Sequence, residues 1–148
     1  MLENKGILCF LLFVLTCNTR QANAQSNTLT IGAGVSPLQI VFKSKDSVLV
    51  ENIQDKVNIA IASTKGLRLE INHFLKTQLN CGKLVYGKKF QIVLIQNTKK
   101  FKSRPEDYKN SIGIICTGNN TYKFYVKGLL YNGQENVKIR AQLNVKIE

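Results

Sequence analysis

Residues 137–148, "VKIRAQLNVKIE", alternate apolar and polar side chains from end to end. Val137, Ile139, Ala141, Leu143, Val145 and Ile147 fall on one face. Lys138, Arg140, Gln142, Asn144, Lys146 and Glu148 fall on the other. Successive side chains of a strand point to opposite faces, whereas helical geometry would scatter these residues around an axis. The segment is therefore a strand with one face covered by an apolar layer. The same period recurs in "VNIAIA" (residues 57–62), "LRLEI" (67–71) and "YKFYVK" (122–127). "FQIVLI" (90–95) is more continuously apolar, as expected of a strand covered on both faces. "LQIVF" (38–42) and "IGIIC" (112–116) are short apolar strands.

Turn signals punctuate these runs at Thr64-Lys65-Gly66, Tyr86-Gly87-Lys88, Gly118-Asn119-Asn120 and Asn132-Gly133. Asn-Gly readily adopts positive φ, so residues 122–147 are expected to form one long hairpin. Only "HFLKTQLN" (73–80) offers a short helix, with Leu75 and Leu79 one turn apart. Eight or so short strands in a chain of this size predict an all-β fold of the β-sandwich type.

The amino-terminal end reads as a targeting segment. Lys5 lies ahead of an apolar core, "ILCFLLFVLTC" (7–17), too short to span a bilayer, and Ala22-Asn23-Ala24 has the small-x-small cleavage pattern. The expected organisation is a signal peptide at 1–24, an amino-terminal extension at 25–36 and a sandwich domain at 37–148, secreted, with no membrane span after cleavage. Cys9 and Cys17 leave with the signal, so Cys81 and Cys116 remain and are expected to form a disulfide in an oxidising compartment. The whole chain has 21 basic and 9 acidic residues, a net charge of +12, and loss of Lys5, Arg20 and Glu3 leaves +11. That imbalance points to acidic partners.

Catalysis is not expected. The sequence has no Gly-rich phosphate loop, no Gly-x-Ser-x-Gly elbow and no metal-ligand cluster, and it implies no cofactor and no metal. His73 stands alone, and the adjacent acids Glu106-Asp107 fit a solvated turn. The densest positive charge runs from Lys83 to Lys109. Lys88 and Lys89 precede one strand, and "TKKFKSR" (98–104) follows it with Lys99, Lys100, Lys102 and Arg104. Residues 98–103 match the x-B-B-x-B-x pattern of heparin-binding segments. On an extended loop the lysines would meet successive sulfates and Phe101 would lie against a sugar. A solvated loop guarding a sheet edge produces the same pattern. No nucleic-acid role is expected of an exported chain.

"TLTIGAGVSPLQIVF" (28–42) places Leu29, Ile31, Ala33 and Val35 on one face and Ser36-Pro37 at a juncture before a second apolar strand. This region resembles the amino terminus of chaperone–usher fimbrial subunits, especially colonisation-factor and aggregative-adherence pilins, and residues 137–147 resemble their last strand. The resemblance implies an incomplete immunoglobulin-like sandwich, completed by donor-strand exchange. Its partners would be a periplasmic chaperone, an usher and neighbouring pilin subunits, in a fimbrium or at the cell surface, with an acidic host glycan or protein as receptor. Leu29, Ile31, Ala33 and Val35 would be the donated side chains, with Gly32 and Gly34 facing away. Alternation alone fits equally a first strand of the chain's own sheet, and the alternative expectation is a free-standing secreted β-sandwich that binds acidic glycans or host proteins without polymerising. The donor role predicts that residues 28–35 project from the domain and leave an apolar groove beside the last strand.

Overall fold

The computed structural model describes residues 26–32, 37–42, 48–63 and 66–148. The strands are β1 (Thr28–Ile31), β2 (Leu38–Val41), β3 (Leu49–Ile53), β4 (Lys56–Ser63), β5 (Leu67–Leu75), β6 (Leu84–Tyr86), β7 (Gln91–Gln96), β8 (Lys99–Ser103), β9 (Ser111–Gly118), β10 (Thr121–Tyr131) and β11 (Asn136–Lys146). Single 3₁₀ turns at Lys76–Gln78 and Gly87–Lys89 interrupt them, and the described residues contain no α-helix. The fold is all-β and sandwich-like.

One antiparallel sheet curls on itself in the order β2-β1-β11-β10-β8-β7-β5-β4-β3, with β9 branching from β10 and β6 pairing β9. Strand β10 is the corner. Its first part, through Lys127, pairs with β9, and Leu130 and Tyr131 pair with β8. Two layers result: β2-β1-β11-β10-β9-β6, called the amino–carboxyl layer below, and β3-β4-β5-β7-β8. They meet across Phe74 of β5 and Phe124 of β10, whose ring centroids lie 5.4 Å apart. Alternate residues from both layers fill the space between, among them Leu69, Ile71, Ile92, Leu94, Ile112, Leu130 and Leu143.

The corner needs residues that strand pairing cannot supply. Pairing with β9 ends at Lys127 and pairing with β8 begins at Leu130, so the N–H of Leu129 lies between ladders. It donates to Oδ1 of the fully buried Asn110 at 2.8 Å. Asn110 Nδ2 donates to the Arg104 carbonyl at 3.3 Å, and its own carbonyl accepts from Gly87 N–H at 3.0 Å. Gly128 lets the layers close: a Cβ there would lie 3.1–3.2 Å from Ile139, Ile92 and Leu130 side chains. The buried Ser103 closes the β7–β8 end, its Oγ accepting from Ile92 N–H at 2.9 Å.

The long hairpin and the Cys81–Cys116 disulfide are both present. The hairpin turn is built by Asn132, whose Oδ1 accepts from the N–H groups of Gln134 and Glu135, with Gly133 at φ 97°. Val93 is buried although it lies outside the central cluster, which fits a β7 covered on both faces.

Two expectations are corrected. Residues 73–80 form no helix: β5 continues to Leu75, because Phe74 is fully buried between Phe90 and Phe124, and a single 3₁₀ turn follows. His73 takes φ 61° opposite an irregularity in β4 and donates its N–H to Asn58 Oδ1 at 2.9 Å. The lysine-rich stretch is no loop but strand β8, held by Phe101 and Ser103 pointing inward.

The amino-terminal segment also departs from expectation. Thr28–Ile31 does not project; it lies between β2 and β11 of its own chain, Leu29 opposite Ala141 and Ile31 opposite Ile139. Leu29 and Ile31 belong to the common core. The outer edge of β11 would otherwise present open N–H and C=O groups. The strand ends at Ile31, and Gly32 follows it with φ 100°. Ala33 and Val35 lie outside the described residues, as do residues 1–25.

Candidate polyanion-binding face

The basic residues anticipated from the sequence do not converge on one site. Lys88 and Lys89 sit in the 3₁₀ turn before β7 and border a hollow of about 430 Å³ with Lys56, His73 and Pro105. Lys99 is taken up by Glu135, with Nζ to Oε1 at 2.7 Å, and this contact holds the Glu135 carboxyl below its ordinary pKa. Lys100 and Lys102 point outward from β8, whereas Phe101 is buried and cannot meet a sugar. Arg104 lies over the Tyr131 ring at 4.0 Å. The Tyr131 hydroxyl donates to Asp107 Oδ2 at 3.2 Å, and its pKa is raised by desolvation first and by that hydrogen bond next.

Carboxylates are mixed into this outer surface of β3-β4-β5-β7-β8. Glu70 holds Arg68 at 2.7 Å, and Glu51 accepts from Asn58 Nδ2 at 3.2 Å. The opposite outer surface is different. On β11 the positions opposed to the core are Lys138, Arg140, Gln142, Asn144 and Lys146. Register places Lys127 of β10 opposite Arg140, and Arg140 opposite Thr30 of β1. Leu129 lies opposite Lys138, and Lys123 opposite Asn144. The outward positions of β1, β2, β6, β9 and β10 add tyrosines, hydroxyls, amides, aliphatics and more lysine, and no Asp or Glu.

Toward one end of this face is a hollow of about 470 Å³ bordered by Lys109, Lys127, Lys138, Arg140, Thr30 and Pro37, with Gly32, Gly128, Leu129 and Ile139. Neighbouring strands lie about 4.8 Å apart, and same-face residues along a strand about 7 Å apart. The Lys127–Arg140 pair and Lys138 therefore form two adjacent positive rows. Like charges directly opposite on paired strands are destabilising. Among the described residues, no ion pair within 4.0 Å involves Lys109, Lys127, Lys138 or Arg140.

No family model matches this chain, and neither does any curated protein or solved structure. The geometry therefore stands alone. The hollow presents cations and a hydroxyl on an open surface. Among the described residues, no three His, Cys, Asp or Glu side chains gather where they could hold a metal ion. No helix of the described residues is long and apolar enough to cross a membrane.

Lys127, Lys138 and Arg140 were not singled out by linear charge clustering, which favours runs such as 98–104, and Lys109 entered only as the end of the run from Lys83. A signal existed nonetheless. The polar face of residues 137–148 holds Lys138 and Arg140, and a hairpin centred near Asn132-Gly133 brings Lys127 across from them.

Proposed function

We propose that this chain is an exported attachment protein, a β-sandwich that holds an acidic macromolecule against its positive outer face. It performs no chemistry on that partner. The observation that carries this reading is the outer surface of the amino–carboxyl layer, where Lys127, Lys138 and Arg140 cluster and no carboxylate occupies an outward strand position. Unscreened by acids of their own, these cations attract anions over about a Debye length, roughly 8 Å at physiological salt. Retention on immobilised heparin tests it: the protein should bind at low salt and elute as salt rises, and flow-through at low ionic strength would contradict it.

A second reading rests on the resemblance of residues 28–42 to a fimbrial donor strand, although β1 is seated in its own sheet and does not project as that role predicts. The strand spans only four residues, is flanked by β2 and β11, and carries Leu29 and Ile31, the first rungs of the ladder that resembles a fimbrial donor strand. In that reading the chain is a fimbrial or surface-adhesin subunit. The slot beside β11 is filled in turn by a periplasmic chaperone and by the amino-terminal strand of a neighbouring subunit, with an usher exporting the polymer. The same slot is filled by the chain's own β1 when it stands alone. Deleting residues 25–35 should abolish polymer formation while sparing chaperone capture. A deleted chain that still polymerises would remove this reading.

A further inference from the structure

The hollow beside Lys127 and Arg140 has a composition that narrows its ligand. None of its bordering side chains is aromatic, so it offers no platform on which nucleic-acid bases could stack. Its cations stand on separate strands rather than on one loop: Lys127 on β10, Arg140 on β11, with the Thr30 hydroxyl next in line on β1. A chain laid across the strands meets a donor at each step of about 4.8 Å. Lys138 and Lys109 flank that line. Thr30, Gly32 and Pro37 belong to the amino-terminal segment, so the hollow has its third wall only when β1 is seated against β11.

We propose that this hollow binds a linear sulfated polysaccharide running across β10, β11 and β1, and that β1 completes the site. The proposal rests on the attachment reading and deepens it by naming the ligand and the place. Sulfate groups, fixed at intervals along a sugar chain, engage Lys127, Arg140 and Lys138, while hydroxyls of the sugar meet Thr30.

A heparin hexasaccharide binding to the full chain, followed by calorimetry, tests this. Changing Lys127 and Arg140 together to Ala should weaken binding about tenfold, and Thr30→Glu by about fivefold, on the scale of exposed charge pairs. Thr30→Glu places a carboxylate opposite Arg140, so its melting temperature should stay level or rise while affinity falls. A purely structural role for these cations would move affinity little. Changing Lys100 and Lys102 to Ala should leave hexasaccharide binding within twofold. An unchanged affinity in Thr30→Glu would overturn the role of β1. Loss in the Lys100/Lys102 variant with none in the Lys127/Arg140 variant would overturn the site while leaving the attachment reading standing. Equal or tighter binding of a short DNA duplex or of phosphatidylserine vesicles through Lys127 and Arg140 would overturn the ligand class. Failure of the unmodified chain to bind any of the three at low salt would overturn the attachment reading itself.

Discussion

Where β10 exchanges one partner strand for another, the Leu129 N–H is left to Asn110, and this residue shows what the corner costs. Removing its side chain leaves the donor unpaired and strips support from the Arg104 carbonyl. An unsatisfied buried group costs about 1–3 kcal/mol, so Asn110→Ala should lower unfolding free energy by about 2 kcal/mol or more in urea titrations. A loss under about 0.5 kcal/mol, the range of ordinary surface changes, would contradict this account of the corner. The Lys99–Glu135 pair has a different signature. The folded pKa of Glu135 lies below its ordinary value, so the small stability it contributes is present above the usual carboxylate range and lost as pH falls through the depressed pKa. In a carbon-detected NMR titration Glu135 should titrate low in the native protein and return toward the ordinary value in Lys99→Ala. No movement would mean the pair is not formed in solution.

Strand β1 is the element on which the two functional readings differ. Leu29 is fully buried opposite Ala141, so Leu29→Ala should cost about 2–5 kcal/mol in the isolated chain. A segment that merely trailed from the domain would show no change in denaturation midpoint. The Cys81–Cys116 bond staples the approach to β6 onto β9 across a separation of 35 residues. On the chain-entropy account it contributes about 3–4 kcal/mol. Thiol titration of denatured, unreduced protein should find no free group at these positions, and two reactive thiols would contradict the bond. The long β10–β11 hairpin was legible in the sequence because unbroken period-two alternation flanks an Asn-Gly pair. Strand β8 was not, because lysines dominate its composition and only Phe101 and Ser103 reveal which face is inward. The left-handed backbone of His73 was hidden too, since it arises from the β4 irregularity opposite and not from its neighbours in sequence.

At the scale of the molecule, charge is sorted by layer. The surface of β3-β4-β5-β7-β8 intersperses Glu51 and Glu70 with its cations, while the amino–carboxyl layer turns lysines and an arginine outward with no acid at an outward strand position, Glu148 pairing with Lys146 just past the end of β11. The net charge of +12 was readable from composition, but its location was not. Locating it requires knowing that Arg140 stands between Lys127 on one side and Thr30 on the other, which only strand register supplies. The run at 98–104 is dense in sequence yet dispersed in space, with Lys99 paired, Phe101 buried and Arg104 stacked on Tyr131. The most direct test of the account is amide chemical-shift mapping of the nitrogen-labelled chain during titration with a heparin hexasaccharide. Perturbations should concentrate on Thr30 and Gly32, on residues 127–129 and on residues 138–140, and fade as salt is added. Perturbations confined to Lys88, Lys89 and strand β8, with β1, β10 and β11 silent, would contradict it.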